Sequence, residues 1–315
     1  MNIDVRTGVN NTKCILRDFL WELFPSMARR FYGGVKQEFC IGIYKGDNPL
    51  QVADSSDIRN PILTHKDITD IVAGFVADPF MYYKDGMWYM FMEVLNLRRQ
   101  LGEIGLATSL DGLNWRYERI VLVETFHLSY PYVFEANGQY FLLTEGKRGD
   151  GQILYRATNF PYDWQPAGQL LAAERIVDAS IFKYQDTWWI LADCGKSHAS
   201  PALHLFFADD LLSSWTEHPM SPVSTNVHTS RPSGRVLLLD EGIIRFAQDV
   251  VPVYGKRVYA FRITTLTRNV YKEEQVDQDP ILGPGSSDWN SGGMHHIDVH
   301  QVSSGWLACV DGFRS

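Results

Sequence analysis

The chain has 315 residues, of which 45% are hydrophobic and 21% charged, as expected for a globular protein with a sizeable core. Its net charge of −8 disfavours nucleic acid or an anionic membrane as the main partner. The four cysteines are scattered without a CxxC pair, which argues against a cysteine-based zinc site. The N-terminal sequence has no signal pattern, and no apolar run approaches the roughly 18 residues of a transmembrane helix. We therefore expect a cytoplasmic protein with reduced thiols and no transmembrane segment.

The chain begins with an extension over residues 1–38. The spacing of Ile15, Phe19 and Leu23 before Pro25 is compatible with a short amphipathic helix in residues 13–32. Residues 39–44 (FCIGIY) then predict a strand, followed by a turn at residues 46–49 (GDNP).

A stretch that opens at Asp78 and closes at Glu93 recurs along the rest of the chain. In it an aspartate opens an apolar run, Asp85-Gly86 turns the chain, and a second aromatic run ends in a carboxylate. The four later copies open at Tyr130, Asp178, Arg231 and His296. They close at Glu145, Asp193, Asp249 and Asp311. Five copies with a common start and a common acidic end indicate a repeat architecture.

The repeats predict the fold class. Each of the first four supplies two further strands after its hairpin, and four antiparallel strands in a unit of about fifty residues form a propeller blade. The fifth repeat supplies only two strands before residue 315, and residues 41–44 resemble the third-strand pattern of residues 104–107. We predict one all-β domain over residues 1–315, a five-bladed β-propeller of four-stranded antiparallel blades. An N-terminal strand would close its last blade and hide the sheet edges.

This topology places the candidate site. The start of the first strand and the end of the second lie on the same edge of an antiparallel hairpin. The five opening residues should therefore ring a central funnel, with the closing acids near them. The loops after those acids carry basic residues that would ordinarily form a solvated rim. With Arg231 they could instead hold a phosphate or carboxylate of a ligand. These loop residues are Arg98, Arg99, Lys147, Arg148, Lys196, Lys256 and Arg257.

Carboxylates are the candidate catalytic residues. A pair of them around a cleft is the equipment of glycoside hydrolysis, and Asp78 and Asp178 occupy equivalent positions. The alternative is that they cap loops or bond backbone amides. The closing acids recur in every blade, which favours a folding role for the set. Glu93 and Glu145 have a longer reach, so either is a candidate general acid whose pKa crowding would raise.

Several further residues are candidate ligands of a substrate. His127 and His228 each stand three residues before an opening position, and His295 and His296 begin a dense polar run. Tyr130 belongs to the ring itself.

A metal ion and a sugar platform are the remaining possibilities. On a strand, His296, Asp298 and His300 share a face and could ligate a metal. One histidine hydrogen-bonded at the axis is the favoured alternative, so we predict no cofactor and leave open a single metal ion at the funnel axis. Trp289 and Asn290 could stack on a sugar ring and bond to it.

Two short motifs resemble the five-bladed glycosidases of family 43 and the related furanosidases. Residues 77–80 (ADPF) look like their first-blade motif, whose aspartate acts as general base or nucleophile. Residues 177–182 (VDASIF) look like their third-blade motif, whose aspartate tunes a pKa and orients the substrate. The resemblance covers roughly residues 70–311. In the fourth blade that family has a general-acid glutamate, whereas this chain has Arg231, and a poor leaving group without an acid stays unprotonated.

A closer resemblance is to the propeller domain that precedes the transferase domain in plant glucosamine inositolphosphorylceramide transferases, and to its bacterial relatives. The long, unusual run at residues 127–134 (HLSYPYVF) carries it. The other matching stretches are residues 41–44, 77–80, 231–232, 248–249 and 295–299. The resemblance implies a carbohydrate or glycolipid-type ligand and a glycosyltransferase as a partner. It assigns no reaction to the propeller.

Our leading hypothesis is a carbohydrate-active enzyme that cleaves or transfers a glycosyl group on a glycoside with an anionic group. Asp78 would be the base or nucleophile, Asp178 its partner, Arg231 the clamp for the anion, and Glu145 or Glu93 the acid. If the leaving group is a phosphate, Arg231 would neutralise its charge and no acid would be needed. The alternative is a non-catalytic propeller that binds a glycan or glycolipid and assists a glycosyltransferase. Arg231 in place of the acid favours this alternative, and the two aspartates disfavour it.

Overall fold

The computed structural model describes residues 37–145, 151–171, 175–197 and 200–315. The helix suggested for residues 13–32 and nearly all of the predicted extension lie outside the described residues. Besides strands, the described part contains two 3-10 helices, His65–Asp67 and Asp288–Asn290. Within these ranges, no helix has both the length and the apolar content needed to cross a membrane.

Five antiparallel sheets follow one another along the chain, one for each predicted blade. Blade 1 consists of Ala73–Lys84, Met87–Asn96, Leu101–Ser109 and Arg116–Leu122. Blade 2 consists of Tyr132–Ala136, Gln139–Thr144, Ile153–Asn159 and Asp163–Gln169. Blade 3 consists of Val177–Tyr184, Thr187–Asp193, Leu203–Ala208 and Thr216–Glu217. Blade 4 consists of Arg231–Pro232, Leu237–Leu239, Gly242–Asp249, Arg257–Leu266 and Tyr271–Gln275, the first two forming a split first strand. Blade 5 consists of Ile297–Val302, Gly305–Phe313 and the N-terminal strand Phe39–Gly46. The all-β, five-bladed prediction is confirmed.

Tight turns join the first two strands of the blades where the repeat predicted them. Asp85 and Gly86 have φ angles of 51° and 81°, the left-handed region. Two-residue hairpins favour such turns because their twist matches that of the flanking strands. The corresponding turns of blades 2 and 3 are Asn137-Gly138 and Gln185-Asp186, also with positive φ.

Blade 5 is closed by the N-terminal strand, as predicted. Phe39–Gly46 pairs antiparallel with Gly305–Phe313, and Ile41 lies opposite Asp311. A regular fourth strand is replaced here by two isolated bridges, at Ala53 and Leu63. Between them, the side-chain amide of Asn60 donates to the Ile43 carbonyl and accepts from the Ile43 amide, both at 2.9 Å. One side chain thus supplies the edge bonds that a backbone partner would otherwise make.

The first strands of successive blades contact one another around a central axis, and blade 5 contacts blade 1. The Met81 amide, for example, donates to Asp298 Oδ2 at 2.6 Å. The buried apolar clusters lie between neighbouring sheets, because each sheet faces another on both sides. Hydrophobic burial between blades therefore stabilises the ring and leaves its axial face to polar side chains.

Candidate functional site

The opening positions have an unusual backbone. Asp78, Tyr130 and Asp178 each have a φ of 51°, although none is a glycine. The strand register also breaks between Ala77 and Phe80 in blade 1 and between Val177 and Ser180 in blade 3. The left-handed conformation costs free energy for such residues and persists only where the surroundings impose it. The same bend in three blades marks this ring as a special part of the fold.

A cavity of about 300 Å³ opens on this face of the propeller. It brings together the four candidate catalytic carboxylates, from blades 1 to 3, with basic and aromatic side chains. The side chains on its wall include Asp78, Glu93, Glu145, Asp178, His127, His295, Arg231, Phe39, Phe75 and Tyr254.

Asp178 and Arg231 form a buried ion pair across the boundary between blades 3 and 4. Arg231 Nε donates to Asp178 Oδ2, and Gln248 Nε2 donates to the same oxygen at 2.9 Å. The Arg231 guanidinium also lies 5.0 Å from the centroid of the Tyr254 ring. Burial would lower the pKa of Arg231, but Asp178 raises it well above its ordinary value. Arg231, the residue suggested to bind an anion, therefore lies on the cavity wall and already forms an ion pair with Asp178.

Glu145 lies beside this pair. Its Oε1 accepts the Asp178 amide at 3.2 Å. Burial and the Asp178 charge raise the pKa of Glu145 to about 7, although Arg231 opposes the shift. A carboxyl group with such a pKa is partly protonated at neutral pH, which is the property of a general acid.

Asp78 is held from both sides of the ring. Its amide donates to Asp311 Oδ2 at 3.0 Å, and its Oδ2 accepts the Tyr130 amide at 3.3 Å. Its Oδ1 lies 3.5 Å from His295 Nε2 and 3.7 Å from His296 Nδ1. Burial raises the pKa of Asp78 well above its ordinary value, and His295 opposes the shift.

Glu93 interacts with His127, whose ring is partly exposed. His127 Nε2 lies 3.1 Å from Glu93 Oε1, and the Gly102 amide donates to His127 Nδ1 at 2.9 Å. Burial lowers the pKa of His127, whereas the carboxylates of Glu93, Glu145 and Asp78 together favour a charged ring. However, the hydrogen bond from the Gly102 amide requires Nδ1 to be an acceptor. Nδ1 therefore carries no proton, and the ring cannot be doubly protonated. We therefore assign a neutral ring with its proton on Nε2.

The closing acids of blades 3 and 4 hold loops. Asp193 accepts Arg175 Nη1 at 2.9 Å and the Gly195 amide at 2.8 Å. Asp249 Oδ1 lies 2.9 Å from Nδ1 of His228, which is exposed and does not line the cavity. These contacts are the folding role that recurrence of the acids suggested.

Two ring residues named as candidate ligands are fully buried. The Tyr130 hydroxyl lies 2.9 Å from Ser180 Oγ and donates to the Gly234 carbonyl at 3.1 Å. The His296 ring packs edge-on against Phe80 and Tyr130, with centroids 4.6 and 5.3 Å apart. Burial lowers the pKa of His296 to about 4, so it is neutral at physiological pH. Neither side chain lines the cavity.

Trp289 and Asn290 are buried within blade 5. A Cβ atom on Gly42 would come within 2.6 Å of the Trp289 ring, which shows how closely the indole covers this strand. Asn290 Nδ2 donates to the Tyr44 hydroxyl at 2.8 Å. The structure places both residues away from the cavity wall.

Asp298 is fully engaged by protein groups, which bears on a metal ion at the axis. Arg235 Nε lies 2.7 Å from its Oδ1, and His300 Nε2 lies 2.9 Å from its Oδ2. Arg235 also donates to the Val133 carbonyl at 3.0 Å and lies 4.7 Å from the centroid of the Tyr132 ring. A cation at Asp298 would have to displace this guanidinium.

A second group of possible donors, Asp78, His295 and Asp311, is close enough to surround one ion. Asp311 already uses one oxygen for the His295 ring and the other for the Asp78 amide. We therefore describe this group as a hydrogen-bonded cluster.

Sequence reasoning missed the aromatic wall of the cavity. Phe39 comes from the closing strand, and its ring packs 4.5 Å from that of His295. Phe75 lies three residues before the opening residue Asp78, as His127 lies three residues before Tyr130. The same sequence offset could therefore have identified Phe75. Tyr254 lies in the loop after the closing acid Asp249, where sequence reasoning considered only the basic residues.

A comparison with protein-family models shows to which family the chain belongs. The family model described as glucosamine inositolphosphorylceramide transferase 1, N-terminal, matches residues 35–313. The chain belongs to this family. A family member named glucosamine inositolphosphorylceramide transferase 1, from Oryza sativa subsp. japonica, is 32% identical over 302 residues, which cover 88% of this chain and 40% of the relative. One of the same name from Arabidopsis thaliana is 30% identical over 299 residues, covering 87% and 39%. The chain thus spans about two fifths of the length of these curated relatives.

Solved structures of glycoside hydrolases share the fold of this family member. Zg3597, a family 117 glycoside hydrolase from Zobellia galactanivorans, has a TM-score of 0.55 and 15% identity, over 87% of this chain and 90% of that one. A putative glycoside hydrolase from Parabacteroides distasonis has a TM-score of 0.60 and 11% identity, over 82% and 95%. At these identities the likeness shows the fold alone.

Proposed function

We propose that the axial cavity binds a glycosyl group and cleaves or transfers it, in a molecule that also carries an anionic group. The observation that carries this proposal is the meeting of Asp78, Glu145 and Asp178 in one cavity with different surroundings. Two carboxyl groups beside one sugar, of which one can supply a proton near neutral pH, are what glycosyl transfer requires. The name shared by the relatives, which combines glucosamine with inositolphosphorylceramide, supports a glycosyl substrate and a phosphate-bearing lipid.

Glu145 would be the general acid. Its raised pKa keeps a proton available near neutral pH, and its bond to the Asp178 amide fixes the carboxyl group at the cavity wall. In the family 43 pattern the general acid comes from blade 4, where this chain has Arg231. Glu145 of blade 2 would take over that role. Glu93 is the weaker candidate because His127 already contacts its carboxylate.

Asp78 would be the base or nucleophile, and Arg231 would recognise the anionic group. Asp78 lies on the cavity wall with its backbone fixed by Asp311. The guanidinium of Arg231 lies on the cavity wall. An anion bound there would interact with this guanidinium together with Asp178. Guanidinium groups bind phosphates and carboxylates through several charge-assisted hydrogen bonds.

A second candidate is a non-catalytic glycan-binding propeller that assists a glycosyltransferase. The Arg231–Asp178 ion pair favours it, because the pair occupies the place of a blade-4 acid and engages the blade-3 aspartate. Aromatic rings on the wall, such as those of Phe39 and Tyr254, suit the apolar face of a sugar whether or not it reacts.

One experiment separates the two candidates. A panel of glycosides and sugar phosphates, including glucosaminyl inositol phosphates, is tested for binding by calorimetry and for product by mass spectrometry. Wild type is compared with Asp78→Asn and with the exposed blade-2 control Glu135→Gln. Turnover that Asp78→Asn abolishes while binding persists supports the enzyme. Equal binding by wild type and Asp78→Asn without turnover supports the glycan-binding protein, and no binding of any member by wild type contradicts both.

A further inference from the structure

Asp311 joins two parts of the site through its two oxygens. Oδ1 lies 2.7 Å from His295 Nδ1 and also accepts the His295 amide at 3.3 Å. Oδ2 accepts the Asp78 amide at 3.0 Å. Asp311 is fully buried, and burial raises its pKa, but His295, His296 and the Asp78 amide together lower it below its ordinary value, so the carboxylate stays charged. This single side chain therefore orients both the imidazole ring and the backbone of the candidate base.

The His295 ring has one nitrogen left for Asp78. Its Nδ1–H faces Asp311, so Nε2 faces Asp78 Oδ1 at 3.5 Å. The ring is held between aromatic groups, 4.5 Å from Phe39 and 5.2 Å from Tyr254 between centroids. The bond to Asp311 and the two flanking rings therefore hold the imidazole with Nε2 toward Asp78.

We propose that Asp78 and His295 share one proton across this contact, and that Asp311 positions His295 for the exchange. This inference rests on the proposed function in one respect, the role of Asp78 as base or nucleophile. In one state Asp78 is a neutral carboxylic acid and His295 Nε2 carries a lone pair. In the other, the O–H bond has broken, an N–H bond has formed on Nε2, and an ionised Asp78 faces an imidazolium. The total charge is the same in both states, and Asp311 remains the acceptor of Nδ1–H.

The exchange gives the buried site a way to supply a charged Asp78. An isolated carboxylate at this depth is disfavoured by desolvation, whereas one beside an imidazolium is compensated. His295 is therefore a positioning residue that acts through Asp78, and Asp311 acts through His295.

The charged groups around the pair come from blades 1, 3 and 5. Glu93, Asp311 and Asp178 disfavour charge on Asp78, whereas His295 favours it. His296 cannot replace His295, because burial lowers its pKa to about 4 and keeps it neutral. His295 is the imidazole whose pKa, despite burial, Asp311 and Asp78 raise to about 9.

The test uses the full chain with ¹³C-labelled aspartate carboxyl groups and ¹⁵N-labelled histidine rings, titrated by NMR. In wild type, we expect the Asp78 carboxyl and the His295 ring to titrate with common midpoints, as coupled sites do. In Asp78→Asn the His295 pKa should fall, because one neighbouring carboxylate is gone. In Asp311→Asn the His295 pKa should fall, because the carboxylate that accepts its Nδ1–H is gone. An unchanged His295 pKa in Asp78→Asn overturns the proposal, and that variant decides the matter if Asp311→Asn does not fold.

Activity gives a second reading once a substrate is known. His295→Gln should lower kcat by about a hundredfold or more, within the range of acid–base effects, with little change in KM. His204→Gln, which removes an outer histidine paired with Glu217, is the control. Coupled titration without turnover of any glycoside would retain the proton exchange and reject the proposed reaction. Turnover with independent titrations, or a full rate in His295→Gln, would reject the exchange and retain the reaction.

Discussion

Arg231 and Asp178 form a buried ion pair between residues 53 positions apart, across the boundary between blades 3 and 4. The two side chains are only 5% and 3% exposed. Removing one partner of such a pair leaves a buried charge without compensation, which costs far more than the pair itself contributes.

Arg231→Met should therefore lower the free energy of unfolding by about 3–5 kcal/mol, measured by urea denaturation. The double variant Arg231→Met/Asp178→Asn should recover part of that loss, because the buried charge is also removed. The exposed pair Arg268–Asp209 is the matched control, and Arg268→Met should cost only about 0–1 kcal/mol. Equal effects of the two arginine substitutions would show that the Arg231 contact is not desolvated.

Glu145 provides a prediction for the reaction. If it is the general acid, activity needs its protonated form and should fall as pH rises through about 7. Glu145→Gln should lower kcat by about 10²–10⁴-fold and remove that alkaline limb. Glu135→Gln, an exposed glutamate of the same blade, should leave both unchanged. A Glu145→Gln enzyme with the wild-type pH profile would move the acid role to Glu93 or to no residue.

The same carboxyl group predicts a pH dependence of stability that needs no substrate. The pKa of Glu145 is raised in the fold from its ordinary 4.5 to about 7, so folding favours the protonated form. Its stabilising contribution is complete below about pH 4.5 and is lost as pH rises through 7. Wild type should therefore lose urea resistance relative to Glu145→Gln between these values. Parallel curves for the two proteins from pH 4 to 9 would contradict the shift.

The repeat made the fold predictable from the sequence. Each blade repeats a hairpin with an acidic end, and local turn chemistry such as Asp85-Gly86 marks its middle. Closure by residues 41–44 was also predictable, because a missing strand pattern in the last repeat reappears near the start. The replacement of a fourth strand by two isolated bridges and the Asn60 side chain was not predictable, because it follows no repeating sequence pattern.

The site was predictable only where the repeat varies. Asp78 and Asp178 stand out because corresponding positions differ, and the structure brings both into the cavity with Glu93 and Glu145. The Arg231–Asp178 pair joins different blades at a separation with no local signature. Tyr254 comes from the loop after Asp249, whose sequence does not repeat from blade to blade. Trp289 is a residue type that often stacks on sugars, but its ring is buried against Gly42.

A substitution at Tyr130 tests whether this opening residue supports the structure of the site or contacts a ligand. Its hydroxyl accepts the Gly234 amide and lies 2.9 Å from Ser180 Oγ, in the buried region beside the axis. Tyr130→Phe leaves the Gly234 amide without its acceptor, which should cost about 1–3 kcal/mol of unfolding free energy. Because the ring remains and does not line the cavity, affinity for a glycan ligand should stay within about threefold of wild type.

Tyr82→Phe is the control, because its hydroxyl donates at 3.2 Å to an exposed Glu135 and should contribute little. Urea denaturation measures the first effect and calorimetry the second. Weaker binding in Tyr130→Phe without a loss of stability would make Tyr130 a ligand-binding residue. The expected pattern, a less stable protein with unchanged affinity, would assign Tyr130 to the scaffold that holds the left-handed opening positions in place.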